Sequence, residues 1–472
     1  MSFESINISI KKRNYMMSVL LLGAFVSLLA ETFLNNALPT IMNTFGVNQS
    51  TAQWLTTAYL LVVGLIIPLS AWIFNSFSLK TNYLMMLGIF LAGSLICLFS
   101  PNFYVLLIGR IIEAVAAGAL MPFIQNVILL LFPPEKRGFA MGITGLVIGF
   151  GPAVGPTISG LILKYANWRM LFIILSVISI VTAILAFFTL KNITKPHRTT
   201  IDGLSFIESL LGFGFILYAL SELGNSGHLT LSLVVIFLLG IFILFLFGKR
   251  QLQLASPLLD IRIFSNNKFN LCTFLSMLSN IAMVGIELVL PLYLQTTCSE
   301  TALVSGLIMM PGAIIMGICN PISGILFDKF GIKRLSLFGF FILLLGTFPM
   351  LLFNNQTGLI IIAFCYALRM IGISFTMMTT FTAGINFIDS NYTTHANAVS
   401  STIRQIGGSL GTALAMLVVA LGSNFKSTVG ANKTIALETG YHWGFILMVV
   451  IALIGIVAAF FLPTAEQENM DY

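Results

Sequence analysis

Two segments of the chain, at residues 68–80 and 321–333, align without gaps at an offset of 253 residues. The first reads PLSAWIFNSFSLK and the second reads PISGILFDKFGIK. They share Pro, Ser, Phe and Lys at equivalent positions, which chance similarity between apolar runs does not favour. Each copy leaves one apolar run and enters the next. A parallel repeat of this kind is expected when two halves of a membrane protein are related by an axis along the membrane normal.

The composition indicates a helical membrane protein. Apolar residues make up 58% of the 472 residues, charged residues make up 8%, and the mean hydropathy is +1.00. Soluble domains carry about 25% charged residues. Segments of about 10 residues with alternating polarity, which a transmembrane barrel requires, do not occur in the sequence. Soluble enzymes, nucleic-acid-binding proteins and secreted disulfide scaffolds are therefore excluded, and we expect no enzymatic activity.

Fourteen apolar runs predict an all-α polytopic membrane protein with fourteen spans of about 20 residues or more. Two six-helix bundles, over residues 1–190 and 269–472, account for twelve spans. The seventh and eighth spans, within 191–268, are predicted to be a peripheral insertion that does not line the main pathway. The predicted spans are 15–38, 52–74, 81–100, 104–130, 139–163, 169–190, 203–223, 229–248, 269–293, 302–327, 335–353, 358–386, 396–421 and 442–463.

The Lys and Arg residues predict the orientation. With the N-terminus inside, sixteen of the 23 lie in inner segments and four in outer segments, while Arg110, Arg369 and Arg404 lie within spans. This bias follows the positive-inside rule and predicts that both termini are cytoplasmic. The net charge of +7 is therefore attributed to topology and not to nucleic acid.

No cofactor or metal site is predicted. The five cysteines lie in or beside apolar runs, without a CxxC pair or a His/Cys cluster, and we interpret them as packing residues. The GxxxxGK[ST] motif of ATP-driven proteins does not occur. A proton gradient is the predicted energy source.

Four glutamates lie inside the predicted spans or at their rims: Glu31, Glu113, Glu222 and Glu287. An ionised side chain in the bilayer is costly, so such a group faces a cavity, pairs with a cation or takes up a proton. A carboxylate that exchanges a proton can alternate between that proton and a cationic ligand. We therefore predict that these four, together with Arg110, serve proton coupling or substrate binding.

Each of these residues also has a structural interpretation. Arg110 precedes Glu113 by one helical turn, so the two can form a static pair. Glu31 and Glu222 can be acids at the outer rim of the membrane. Glu287 can face a cavity or have a purely structural place. Aromatic residues such as Trp54 can line a pocket for planar cations or simply face lipid and core.

Two further patterns predict conformational roles. In the fifth span, Gly145, Gly149, Pro152 and Pro156 are predicted to lie on one helical face, which allows close contact with a partner helix, or ordinary tight packing. In the second-half loop, Asp328 can accept hydrogen bonds from a helix N-terminus or an arginine, or the loop can serve as a charged topology anchor. The residues concerned are Gly145, Gly149, Gly151, Pro152, Gly155 and Pro156 in the span and Gly324, Asp328, Lys329, Gly331, Lys333 and Arg334 in the loop.

These motifs together resemble the fourteen-span drug:proton antiporters of the major facilitator superfamily, over essentially the whole chain. Residues 324–334 look like the superfamily's cytoplasmic loop motif, residues 29–39 its acidic first helix, and residues 145–160 its antiporter motif. Residues 52–60, 257–264 and 404–409 also resemble sequence patterns of the family. The first-half loop departs from the pattern, with Asn75 and Ser76 where Asp and Arg are usual and Ala71 for Gly, and Glu31 replaces Asp.

The resemblance implies a multidrug exporter that exchanges amphipathic, often cationic compounds for protons by alternating access. We predict Glu31 and Glu113 as the proton carriers, because they are the two acids best placed to titrate inside the first bundle. The alternative is a proton-coupled symporter or exporter of a single endogenous metabolite or lipid-like solute. A membrane sensor that does not transport would have no reason to retain four intramembrane acids. The expected partners are drugs, protons and the lipid bilayer, without nucleic acid, and we expect a monomer in a bacterial plasma membrane.

Overall fold

The structure, a computed structural model, describes residues 9–193, 196, 202–428 and 433–464. These residues form fifteen α-helices and no β-strand, which confirms the predicted all-α fold. Backbone groups in a bilayer must be hydrogen-bonded within their own segment, and a helix meets that demand. The helices are α1 (Ile10–Phe45), α2 (Gln49–Ile66), α3 (Ser70–Ser76), α4 (Leu79–Leu98), α5 (Phe103–Leu131), α6 (Arg137–Tyr165), α7 (Arg169–Thr189), α8 (Gly203–Ser226), α9 (Leu231–Gln253), α10 (Asn267–Thr296), α11 (Ala302–Phe330), α12 (Ile332–Thr347), α13 (Leu359–Asn386), α14 (Thr393–Thr428) and α15 (Lys433–Phe460).

Within the described residues, thirteen helical segments are long and apolar enough to cross a membrane. The 29-residue helix α6 lies where the fifth span is predicted. Several helices extend beyond the apolar run that predicts them, because their ends are capped outside it. Helix α1, for example, begins after Ser9, whose side chain accepts a hydrogen bond from the Lys12 amide. It ends at Gly46, whose φ of 64° is a left-handed conformation that glycine adopts without a steric penalty.

Proline interrupts the second predicted span. A 3₁₀ turn at Ile67–Leu69 separates α2 from α3, because Pro68 has no backbone N–H and its ring crowds the preceding turn. Together α2 and α3 cover the length of one span.

The helices pack into two groups with one pair beside them. Helices α1 to α7 pack among themselves, as do α10 to α15, and α6 lies along α11 where the groups meet. Helix α8 packs against α9 and lies between α2 and α14. We call the end of the molecule at which α6 begins and α11 ends the basic end, since it carries Lys136, Arg137, Lys329, Lys333 and Arg334.

Candidate transport cavity

A cavity of about 330 Å³ lies between the two groups of helices. Small-molecule sites occupy roughly 300–1,000 Å³, so a small amphiphile fits such a space. Its wall is mainly apolar and includes Met121, Met283 and Met377, flexible side chains that adapt to different shapes. Among the described residues no aromatic side chain lines it, so Trp54 and the other candidate aromatics do not form this pocket.

Two acidic side chains face the cavity from opposite groups of helices. Glu31 projects from α1 and Glu287 from α10, both are partly exposed, and they interact electrostatically with each other. Two like charges in an apolar cavity repel each other, and a bound cation or proton relieves that repulsion. The structure thus brings together two of the predicted residues, from different groups of helices, on one cavity.

Glu113 and Arg110 form a sealed pair instead of facing the cavity. Arg110 Nη1 lies 2.7 Å from Glu113 Oε2, Ser94 donates a hydrogen bond of 2.5 Å to Glu113 Oε1, and both charged side chains are fully buried. The guanidinium carbon of Arg110 lies 4.0 Å from the ring centroid of Tyr59. Helix α4 lies so close that a Cβ on Gly93 would be 2.6 Å from the Glu113 backbone nitrogen. This arrangement corresponds to the static-pair alternative, although Arg110 also acts electrostatically on Glu31.

Glu222 and Arg369 do not line the cavity. Glu222 is partly exposed on α8, next to the lining residue Ser221. Arg369 is fully buried, and it donates to Thr347 Oγ1 at 2.5 Å and to the carbonyl oxygen of Ala282.

Helix α8 belongs to the segment predicted to be a peripheral insertion, yet it contributes to the wall of this cavity. Leu217 and Ser221 of this helix line the cavity, because α8 fills the gap between α2 and α14. The fit against α2 is close, since a Cβ on Gly64 would collide with Leu217. By contrast, no described residue of α9 lines the cavity. Only 17% of the apolar stretch of this helix is buried inside the protein.

Arg404 also lines the cavity, and it is a site residue that the sequence analysis did not select. Its guanidinium carbon lies 4.9 Å from the ring centroid of Phe381, and its carbonyl oxygen accepts a 2.7 Å hydrogen bond from Asn280. Gln405 and Ser409 line the same wall. The available signal was an arginine within a span, inside the segment 404–409 that resembles the family's pattern.

The glycines of α6 face two different neighbours. A Cβ on Gly145 would be 3.0 Å from Asn320, and one on Gly149 would be 2.9 Å from Met316, so both glycines allow α11 to approach closely. Gly151 and Gly155 instead face Leu28 and Thr32 of α1. Gly145 and Gly149, two of the four residues predicted to share a face, thus lie against the same helix, while the side chains of the other two, Pro152 and Pro156, lie outside the part of the chain that the structure describes.

The second-half loop is tied to the first residues of α6. Asp328 accepts hydrogen bonds of 3.0 Å each from the backbone amides of Gly138 and Phe139. The first amides of a helix have no intrahelical acceptor and carry partial positive charge, so a carboxylate is a favourable partner there. This is one of the two contacts predicted for Asp328.

The other residues of the loop motif have separate places. A Cβ on Gly324 would collide with the Gly138 carbonyl oxygen, and Gly331 has a φ of 74° where α11 turns into α12. Lys329 and Arg334 are exposed, and Lys333 is partly exposed.

The chain is similar over most of its length to bacterial transporters. It is 41% identical over 456 residues to the uncharacterized MFS-type transporter YcnB of Bacillus subtilis, covering 96% of each chain. It is 35% identical over 451 residues to the lincomycin resistance protein LmrB of Listeria monocytogenes, covering 94% of this chain and 96% of that protein.

A solved structure and a family pattern agree with these relatives. The crystal structure of the human organic anion transporter MFSD10 (TETRAN) has a similar fold, with a TM-score of 0.64 and 13% identity over 93% of this chain and 99% of that one. The sequence model of the Major Facilitator Superfamily matches residues 20–412. The chain therefore belongs to the Major Facilitator Superfamily and is a multi-pass membrane transporter, not an enzyme.

Proposed function

We propose that this transporter exports amphipathic, often cationic drugs from a bacterial cell in exchange for protons. The observation that carries the proposal is the placement of Glu31 and Glu287 on one apolar cavity, from helices in different groups. The name of one relative, a lincomycin resistance protein, agrees with drug export. No cofactor takes part, and the proton gradient is the energy source.

Exchange follows from competition at the two carboxylates. When Glu31 and Glu287 are ionised, their charges favour a cationic group in the cavity. Protons arriving from outside neutralise the acids, remove that attraction and release the drug. In the sealed Arg110–Glu113 pair the two charges are fixed, and Arg110 interacts electrostatically with Glu31. Glu222, at the edge of the lining, has at most a secondary part.

Alternating access requires that contacts between the two groups of helices break at one end of the cavity at a time. At or near the basic end, Asn397 donates to the Pro122 carbonyl oxygen at 2.7 Å, and Ser401 donates to Gln125 Oε1 at 3.3 Å. These contacts join α14 to α5 and, with the Asp328 contacts, close the cavity at that end. The positive-inside rule assigns the basic end to the cytoplasm. Drug entry from the cytoplasm then requires all of them to separate.

The proposed architecture has fourteen spans, with α6 as the one additional to the thirteen segments, and places both termini in the cytoplasm. Residues 1–190 and 269–472 form the two six-helix bundles, and 191–268 contribute α8 and α9. The packing of α6 along α11 and of α8 between α2 and α14 supports this division. A monomer contains every residue that the proposed cycle uses.

The test uses the purified full-length protein in liposomes with ethidium as the substrate. We expect an imposed pH gradient to drive ethidium movement, and added ethidium to cause proton movement in the opposite direction. Variant Glu31→Gln with Glu287→Gln should lose both signals, while Glu438→Gln, on α15 and outside the cavity, should retain them. Proton movement in the same direction as the dye would support a symporter instead. Ethidium movement without protons would refute coupling.

A further inference from the structure

Arg404 is a cation in the cavity that has no acidic partner among the residues that the structure describes. The ion pairs found among the described residues join Arg110 to Glu113, Arg250 to Asp202 and Arg262 to Asp260, and none involves Arg404. Arg404 nevertheless lies in the membrane-spanning helix α14. An arginine at such a depth is normally paired or faces a water-filled space, so its position calls for a partner.

The surroundings of Arg404 leave its hydrogen-bonding edge available. The ring of Phe381 covers one face of the guanidinium group at 4.9 Å, and the contact from Nη1 goes to the sulfur of Met378 at 3.9 Å. A thioether is a weak acceptor, whereas a guanidinium group carries five N–H donors. Asn280 fixes the backbone at this point through the Arg404 carbonyl oxygen. The remaining donors can therefore serve a ligand in the cavity.

Arg404 and the two acids lie at different depths. Arg404 is level with Asn280 on α10, through the 2.7 Å hydrogen bond, and Glu287 is seven residues further along the same helix. At 1.5 Å per residue, the backbone of Glu287 therefore lies about 10 Å along α10 from the level of the Arg404 backbone. The cavity thus has a negative pole, formed by Glu31 and Glu287, and a positive pole, formed by Arg404.

We propose that the cavity is a bipolar site for elongated amphiphiles that carry a cationic group at one end and an oxyanion, such as a carboxylate, at the other. Arg404 binds the oxyanion with paired charge-assisted hydrogen bonds, a geometry that suits a guanidinium group. The cationic group lies between Glu31 and Glu287, and the methionines contact the apolar body. This assignment rests on the proposed drug export and names zwitterions as the substrates that bind most tightly, since purely cationic compounds leave Arg404 unpaired.

The experiment compares rhodamine B with its ethyl ester, a matched pair in which only the first carries a free carboxylate. Equilibrium binding to the purified full-length protein is measured by fluorescence anisotropy, without a pH gradient. We expect the wild-type protein to bind rhodamine B about tenfold more tightly than the ester. Arg404→Gln should reduce this preference to within about twofold, by weakening the binding of rhodamine B alone. Arg404→Lys should retain an intermediate preference, since Lys keeps the charge and loses the paired geometry.

Two controls separate the possible outcomes. Arg262→Gln removes the same charge outside the cavity and should leave the preference unchanged. Thermal unfolding of Arg404→Gln in detergent shows whether the variant is folded, and the proton-coupled movement of ethidium, which carries no oxyanion, by the wild-type protein tests the proposed function independently. The inference is overturned if wild-type protein shows no preference, or if Arg404→Gln keeps it. An equal change for both dyes would overturn it too, because Arg404 would then act on the acids and not on the ligand.

Discussion

The backbone amide of Gly138 donates a hydrogen bond of 3.0 Å to Asp328 Oδ1. Asp328 lies near the end of α11 and Gly138 in the first turn of α6, so this bond joins the two groups of helices at the basic end. The second oxygen of the same carboxylate accepts from Phe139. A single ionised side chain therefore satisfies two amides that have no acceptor within their own helix.

We expect Asp328→Asn to slow export more than Asn75→Ala, the change at the equivalent position of the first repeat. The amide side chain of Asn carries no charge and presents an NH₂ group to one of the two amides. Hydrogen bonds to charged groups contribute about 1.5–3 kcal/mol, and the exposure of Asp328 to solvent places this one at the lower end. A loss of that size shifts the equilibrium toward the form open at the basic end by about tenfold.

The measurement is the initial ethidium export rate at matched expression, combined with labelling of Ser401→Cys by an impermeant reagent supplied from the basic side. Labelling should increase in Asp328→Asn and stay low in Asn75→Ala. If both variants showed the same rates and the same labelling, the two loops would be topology anchors only.

Gly324→Ala, which adds a methyl group, should favour the form that is open at the basic end. A Cβ there would collide with the Gly138 carbonyl oxygen, whereas a Cβ at Gly306, on the same helix, would have no atom within 4 Å. Since Ala is favoured over Gly in a helix by about 1 kcal/mol, Gly306→Ala should be neutral or stabilising. Gly324→Ala should instead raise the Ser401→Cys labelling and reduce export. If the two variants showed the same labelling and the same export, the close contact between α6 and α11 at Gly324 would not control opening of the basic end.

The helices and the principal contact of Asp328 could be predicted because their signals are local. An apolar run of about 20 residues predicts a span without knowledge of its neighbours. The helix ends were less predictable, since caps such as Ser9 and Gly46 lie outside the apolar run. Asp328 stands in a charged loop where a helix N-terminus was an expected partner.

The burial of Glu113 and the position of α8 could not be predicted in this way. Glu113 is sealed because α4 approaches α5 closely at Gly93, and this contact between helices leaves no pattern around residue 113. The repeat accounts for twelve spans and says nothing about where the other two pack. Arg404 was visible as an intramembrane charge, but its exposure to the cavity depends on the packing of α14 against α10.

Glu113→Gln should destabilise the protein, whereas Glu31→Gln should abolish coupling with little effect on stability. Removing one partner of a buried ion pair leaves the other charge uncompensated and costs about 3–5 kcal/mol. Glu31 lines a cavity and has no ion-pair partner among the described residues, so its neutralisation leaves no such charge. Thermal unfolding in detergent measures the difference. The double variant Arg110→Gln with Glu113→Gln should recover part of the loss, and a Glu113→Gln variant as stable as wild type would contradict the sealed pair.

Substrate should protect α8 and not α9 from labelling. Ser221 lines the cavity on α8, while Ser232 is exposed at the start of α9. Both are replaced by cysteine, one at a time, in a background in which the five native cysteines are changed to alanine. We expect ethidium to slow labelling of Ser221→Cys several-fold, because an occupant of about the cavity's size excludes the reagent, and to leave the rate at Ser232→Cys unchanged. Leu217→Cys, one turn from Ser221, should follow Ser221→Cys. If ethidium protected neither α8 position while still being exported, the substrate would pass without contacting α8, and the wall that Leu217 and Ser221 form would be structural.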